Sequence, residues 1–156
     1  MKKRSGLLLD VMNSAFTGHS WHGTTLRGTL RGVTPARALK RPAKGRHCIW
    51  DYVLHTAYWK YAVRRRLEGE AAGSFPRRPA NWPKVPGRPD AAQWRKDVTL
   101  LEEQHRMLMR LAARLGPARL RQRSPKGAWR NVEQLYGVAA HDLYHAGQIQ
   151  LIKKLV

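Results

Sequence analysis

From His47 to Leu67 the chain runs without a proline or a glycine, and it is apolar on more than one side. Ile49, Trp50, Tyr52, Val53, Leu54, Tyr58, Trp59, Tyr61, Val63 and Leu67 all fall within it. This pattern predicts one long, mostly buried helix ended by Gly69. A helix buried on several sides needs other long elements around it. Two more segments supply them. Asp90 is a good N-cap for a helix carrying Trp94, Val98, Leu101, Leu108 and Leu111 as far as Leu115, where Gly116-Pro117 stops it. A last helix runs from Asn131 to the C-terminus.

Residues 5–17 place Leu7, Leu8, Val11, Met12 and Phe16 near helical spacing and end at Gly18, which predicts a first helix. Ser20-Trp21-His22-Gly23 reads as a joint, and residues 24–30 as a short second segment. Thr34-Pro35 puts a capping residue before a proline and opens a turn through Leu39. Residues 73–89 hold Gly73, Pro76, Pro79, Pro83, Pro86, Gly87 and Pro89, which no helix or central strand survives. Loops of this length in small domains often cover a site. Residues 124–127 read as a turn, and no segment reads as a strand. The expected fold is therefore all-α: a single domain over residues 1–156, an antiparallel four-helix bundle with a Pro-rich loop between the second and third long helices.

With 156 residues, 42% of them hydrophobic, the chain has material for one real core. Its formal net charge of +20 favours polyanionic partners and solubility but says nothing about fold. The basic residues are spread along the chain. No finger, aromatic strand motif or helix-turn-helix accompanies them, so a nucleic-acid role is possible but not favoured. Cys48, the one cysteine, excludes an intramolecular disulfide and a multi-cysteine zinc finger. No apolar run approaches the roughly 18 residues of a membrane span. The apolar stretch Leu7–Leu9 ends at Asp10, too soon for a signal peptide, so the cytoplasm is the expected compartment.

The chemistry concentrates in His141-Asp142-Leu143-Tyr144-His145. Positions i and i+4 of a helix share a face, so the two imidazoles can hold one ion from the same side. The spacing alone is weak evidence, because it arises readily by chance. However, Val138, Ile149, Ile152 and Val156 fall on the same stripe, which points both histidines inward. A surface pair, or a hydrogen-bonded core pair without a metal, is the other arrangement the pattern allows. His55, in the middle of the long helix beside Cys48, Tyr52, Trp59 and Ala62, can complete a three-His set if its side faces the last helix. Three neutral imidazoles leave an open position and suit Zn, Ni, Fe(II) or Co. Asp51, one turn before His55, is placed to orient a ligand. The His-Asp-x-x-His string is a poor protease motif, because Asp142 is shorter than the glutamate such a motif uses and no further ligand follows His145.

Three blocks resemble the DinB-like superfamily of damage-inducible proteins, which includes the YfiT-type proteins. They are Ser20-Trp21-His22-Gly23 with Leu26; Ile49-Trp50-Asp51-Tyr52-Val53-Leu54-His55 with Trp59; and His141-Asp142-x-x-His145-x-Gly147-Gln148-Ile149. The last is the most specific. The resemblance implies a four-helix bundle, often dimeric. It implies a divalent metal on one histidine of the second long helix and two of the last, here His55, His141 and His145. It also implies relatives that are thiol-dependent transferases or isomerases using mycothiol or bacillithiol, alongside others without assigned activity. The expected function is a metal-dependent enzyme, a low-molecular-weight thiol transferase or a small-molecule hydrolase. The alternative is a basic nucleic-acid-binding or stress-response protein whose histidines are structural. The +20 charge departs from a typical member.

No general base is identifiable, so the catalytic residues are unknown at this stage. His22 is a candidate for the pocket rim and His47 for an outer ligand. His105, between charged neighbours, reads as solvated, and His19 as a surface residue. Cys48 reads as a small buried hydrophobe, and Arg64-Arg65-Arg66 as an exposed helix end.

Overall fold

The computed structural model describes residues 4–125 and 128–156. Its helices are α1 (Arg4–Phe16), α2 (Leu26–Thr29), α3 (Pro35–Leu39), α4 (Ile49–Glu68), α5 (Ala91–Arg114), α6 (Pro117–Arg121) and α7 (Asn131–Leu155). A 3₁₀ turn at Gly69–Ala72 follows α4. The described residues form no strand, only an isolated bridge between Arg123 and Arg130. No described helix is long and apolar enough to cross a membrane.

Side chains start the helices where the sequence suggests. The Thr34 hydroxyl accepts from the Arg37 N–H at 3.2 Å, and the Asp90 carboxylate from the Gln93 N–H at 2.9 Å. Asp51 accepts from the Cys48 N–H at 2.9 Å and so caps α4 from inside its first turn. Gly69 leaves α4 at φ 68°, a conformation that favours glycine. α6 was not expected. The Gly116-Pro117 pair that stops α5 also opens a new turn, with Pro117 at its first position. Of the predicted turn at 124–127, Lys126 and Gly127 lie outside the described residues.

The four long helices are not all antiparallel to their neighbours. Along α4 and α5, Trp50 bonds Asp97, Arg64 bonds Gln104, and Glu68 meets Arg114, so the two helices run in the same direction. α4 and α7 run oppositely, with His55 against His145 and Val63 near Val138. The long loop follows from this arrangement. α4 has 20 residues and spans about 30 Å, and the chain must return that distance before α5 can start. Residues 73–90 make the return without a helix.

Two apolar clusters fill the interior. One joins Ile49, Trp50, Val53 and Leu54 of α4 to Leu101 of α5 and Ile149 and Ile152 of α7. The other joins Leu8 and Met12 of α1, Leu67, Leu108, Leu111, Leu135 and Val138. Within α1 the core face is Leu8, Met12, Ala15 and Phe16, whereas Leu7 and Val11 are exposed. Between the clusters lies a polar layer. The Lys60 ammonium contacts the Asp142 carboxylate and sits 4.8 Å from the centre of the Phe16 ring. His105 stacks on the same Phe16 ring, with 3.8 Å between the two ring centres. The expectation that His105 is solvated is wrong: it is 7% exposed.

Lys60 and Asp142 are each 1% exposed in their side chains, so neither charge has water to turn to. Removing one partner of such a pair costs about 3–5 kcal/mol, whereas replacing both by apolar residues is often neutral. Lys60→Ala should therefore lower urea-denaturation stability by about 3–5 kcal/mol, and Lys60→Met with Asp142→Leu should recover most of the loss.

Candidate metal centre

His55 comes from the middle of α4, and His141 and His145 from successive turns of α7. The antiparallel packing of these helices brings the three rings together. His55 Nε2 lies 3.1 Å from His141 Nε2, which lies 3.0 Å from His145 Nε2. One ligand nitrogen from each residue falls within 4.8 Å of the others. His55 and His145 are buried, and His141 is partly open to solvent.

The outward nitrogens decide what the inward ones can do. His55 Nδ1 is 2.8 Å from the Asn81 carbonyl oxygen, which only accepts, so Nδ1 carries the proton. His145 Nδ1 faces the Gln148 side-chain oxygen at 2.5 Å and donates to it. Both Nε2 atoms therefore point bare lone pairs at His141 Nε2. A single proton on His141 can serve only one of them. Metal-bound histidines use this arrangement, one nitrogen donating to a carbonyl or amide and the other bare. Zn–N bonds are about 2.0–2.1 Å, so two nitrogens on one ion sit at most about 4.2 Å apart, and the contacts of His141 Nε2 at 3.1 and 3.0 Å lie inside that limit. A cation supplies what the three lone pairs lack, and the residues present fit a divalent ion.

Burial also keeps the rings neutral. It pushes His55 down to about 4 and His141 down to about 3, and lowers His145. The neighbouring imidazoles add to the shifts of His55 and His141. Neutral imidazole is the form that binds metal.

The return loop closes one side of this cluster. Asn81 sits at φ 68°, the left-handed region that asparagine tolerates better than most residues. Its carbonyl meets His55, and its side-chain oxygen accepts from Trp59 Nε1 at 2.8 Å. The next residue, Trp82, stacks between two histidines, 3.8 Å from the His55 ring centre and 3.6 Å from that of His47.

Other candidates are placed elsewhere. Asp51 does not orient a cluster histidine. It caps α4 and holds Arg41 at 2.7 Å, because the first turn of α4 offers it unpaired N–H groups and a cation. His22 is exposed in a surface turn where Ser20 Oγ donates to the Gly23 carbonyl. His47 packs against Trp82 and lies 3.5 Å from Asp51, outside the converging nitrogens. Burial pushes the Cys48 thiol up to about 11, so it is a poor nucleophile. Asn81, Trp82, Gln148 and Lys60 are the neighbours that the sequence reading missed. Gln148 had a signal, three residues after His145 on the same face, and Lys60 had another as a lone cation in an apolar stretch. Nothing in the loop's composition marks Asn81 or Trp82.

A pH dependence follows. In the unfolded chain His55, His105 and His141 gain a proton near 6.5, but in the fold only near 3–4, with burial the main cause. The unfolded state thus binds more protons below pH 6.5, and stability falls as pH drops from 6.5 toward 3. Each such group removes up to about 2 kcal/mol by pH 5. In EDTA, urea titrations at pH 7.5 and 5 should show this fall, and His105→Phe should make it shallower.

The family comparison agrees with the geometry. A family model described as the DinB superfamily matches residues 19–149, a span holding all three histidines. No curated protein and no solved structure matches the chain.

Proposed function

This chain belongs to the DinB superfamily, and from that premise we propose that it is a single-domain metal-dependent enzyme, holding a divalent ion on His55, His141 and His145 and transferring a low-molecular-weight thiol. The observation that carries the reading is the convergence of three Nε2 atoms, two of them bare, on one point. A bound Zn, Ni, Fe(II) or Co ion supplies Lewis acidity at its open position, where it favours the thiolate over the thiol.

The chain's own groups support thiol transfer over hydrolysis. A hydrolase gains from a general base beside its metal-bound water, and each carboxylate on the two helices that carry the cluster already holds a cation. Asp142 contacts Lys60, Asp51 holds Arg41 and the Cys48 N–H, and Glu133 holds Arg130. A thiolate is itself the nucleophile and needs no base once its proton has left. Asn81 and Gln148 keep His55 and His145 in the binding tautomer, and Trp82 keeps water from one face of His55. The same reading carries a homodimer, for which α7 offers exposed Tyr136, Leu143, Tyr144, Leu151 and Leu155.

Elemental analysis of tag-free protein incubated with zinc or nickel tests the reading. Wild type should carry about one ion per chain. His141→Ala should lose it while keeping its helical circular dichroism, and Gln148→Ala should bind about 10–100-fold more weakly. Metal-free wild type after incubation would contradict the proposal. Steeply salt-dependent DNA binding that ignores His141→Ala would then support the nucleic-acid reading.

A further inference from the structure

A groove of about 370 Å³ opens beside the cluster, between α4 and the first half of α7. Val63 and Val138 are its buried apolar lining, Trp59 and Trp129 contribute indoles, His141 marks one end and Arg66 reaches in from α4. This volume suits a small molecule. The Trp59 ring centre lies 6.3 Å from that of His141, which makes Trp59 the link between the groove and the cluster.

The polar groups of the groove are unequal. Glu133 lines it, but its two oxygens are taken by the Arg130 guanidinium at 2.7 Å and the Arg130 N–H at 2.6 Å. The Arg66 guanidinium lies 5.4 Å from the centre of the Trp59 ring and takes no ion pair or hydrogen bond among the described residues. Arg66 stands two turns beyond Trp59 on α4, and its side chain folds back over the indole. The groove therefore has an apolar aromatic body, a guanidinium over its indole with no carboxylate partner among the described residues, and a candidate metal ligand at the other end. A guanidinium suits an oxyanion such as a carboxylate or sulfonate, two of whose oxygens it can bind with parallel hydrogen bonds.

We infer that the second substrate is a small aromatic monoanion, its ring against Trp59 and its anionic group on Arg66, with its opposite end directed at His141. This deepens the proposed thiol-transfer reading and rests on it for the reaction, but the binding itself does not require a metal. Gly137 gives a clean way to fill the groove. A Cβ there meets nothing within 4 Å, so a side chain can start from this position without a backbone clash, and Gly137 lines the groove.

The test is a fluorescence titration in EDTA with two dyes, 1-anilinonaphthalene-8-sulfonate and its uncharged relative N-phenyl-1-naphthylamine. Wild type should bind the sulfonate more tightly than the neutral dye. Arg66→Gln should weaken the sulfonate at least fivefold and leave the neutral dye unchanged. Arg110→Gln, at an exposed arginine of α5 away from the groove, should change neither. Gly137→Phe should abolish both while still taking up metal. Trp129→Ala, at a side chain 64% exposed and so safe for folding, should weaken both. A sulfonate affinity that ignores Arg66→Gln, or falls equally in Arg110→Gln, overturns the inference, as does dye binding indifferent to both Gly137→Phe and Trp129→Ala. Because the titration is run without metal, a protein that binds the dyes as stated but takes up no ion overturns the metal reading alone.

Discussion

The contact between Lys60 and Asp142 ties α4 to α7 in the middle of the core, and the candidate metal centre depends on it. Asp142 adjoins His141 in sequence, and Lys60 stands five residues after His55. Apolar side chains alone tolerate a helix slipping by a turn, because one leucine packs much like another. A buried charge does not, since a slip would leave both ions without a partner. The pair therefore holds the register in which His55 faces His141 and His145. It contributes more to choosing this arrangement than to net stability, because taking two ions out of water offsets much of their attraction.

The path of the chain supplies the other half of the site. Parallel α4 and α5 require a return over the length of a helix, and the return passes beside the histidines. Asn81 and Trp82 then take up the outward nitrogen and one face of His55. The topology and the tautomer of a ligand are thus linked: a tight turn between α4 and α5 would make them antiparallel and leave His55 Nδ1 without its carbonyl. On the open side the cluster meets the groove lined by Trp59 and Trp129. One flank of the histidines is closed by the loop and another opens onto the groove.

Much of this was legible in the residues, for identifiable reasons. Caps and breakers are local, so Thr34-Pro35 and Asp90 mark helix starts, and Gly69 and Gly116 helix ends, without reference to the rest of the chain. The histidine set was legible because helical period puts 141 and 145 on one face and the long helix offers one inward histidine. Helix direction was not legible, because periodicity reports which face is buried and not which way a neighbour runs. His105 was misread because Glu103 and Arg106 flank it. Its own position, four residues after Leu101 and three before Leu108, is a core position. Asp51 drew attention for being near His55 in sequence, whereas a residue in the first turn of a helix is taken by the unpaired N–H groups there.

The central claim is that three Nε2 atoms are arranged to share one ion. Anomalous diffraction at the zinc edge, from crystals of the zinc-loaded protein, tests it most directly. The account predicts one strong peak per chain within bonding distance of Nε2 of His55, His141 and His145, with Asn81 and Gln148 still on the two Nδ1 atoms. A peak on His47, His22 or His19 instead, or bonding through Nδ1 with the Asn81 contact broken, would contradict it.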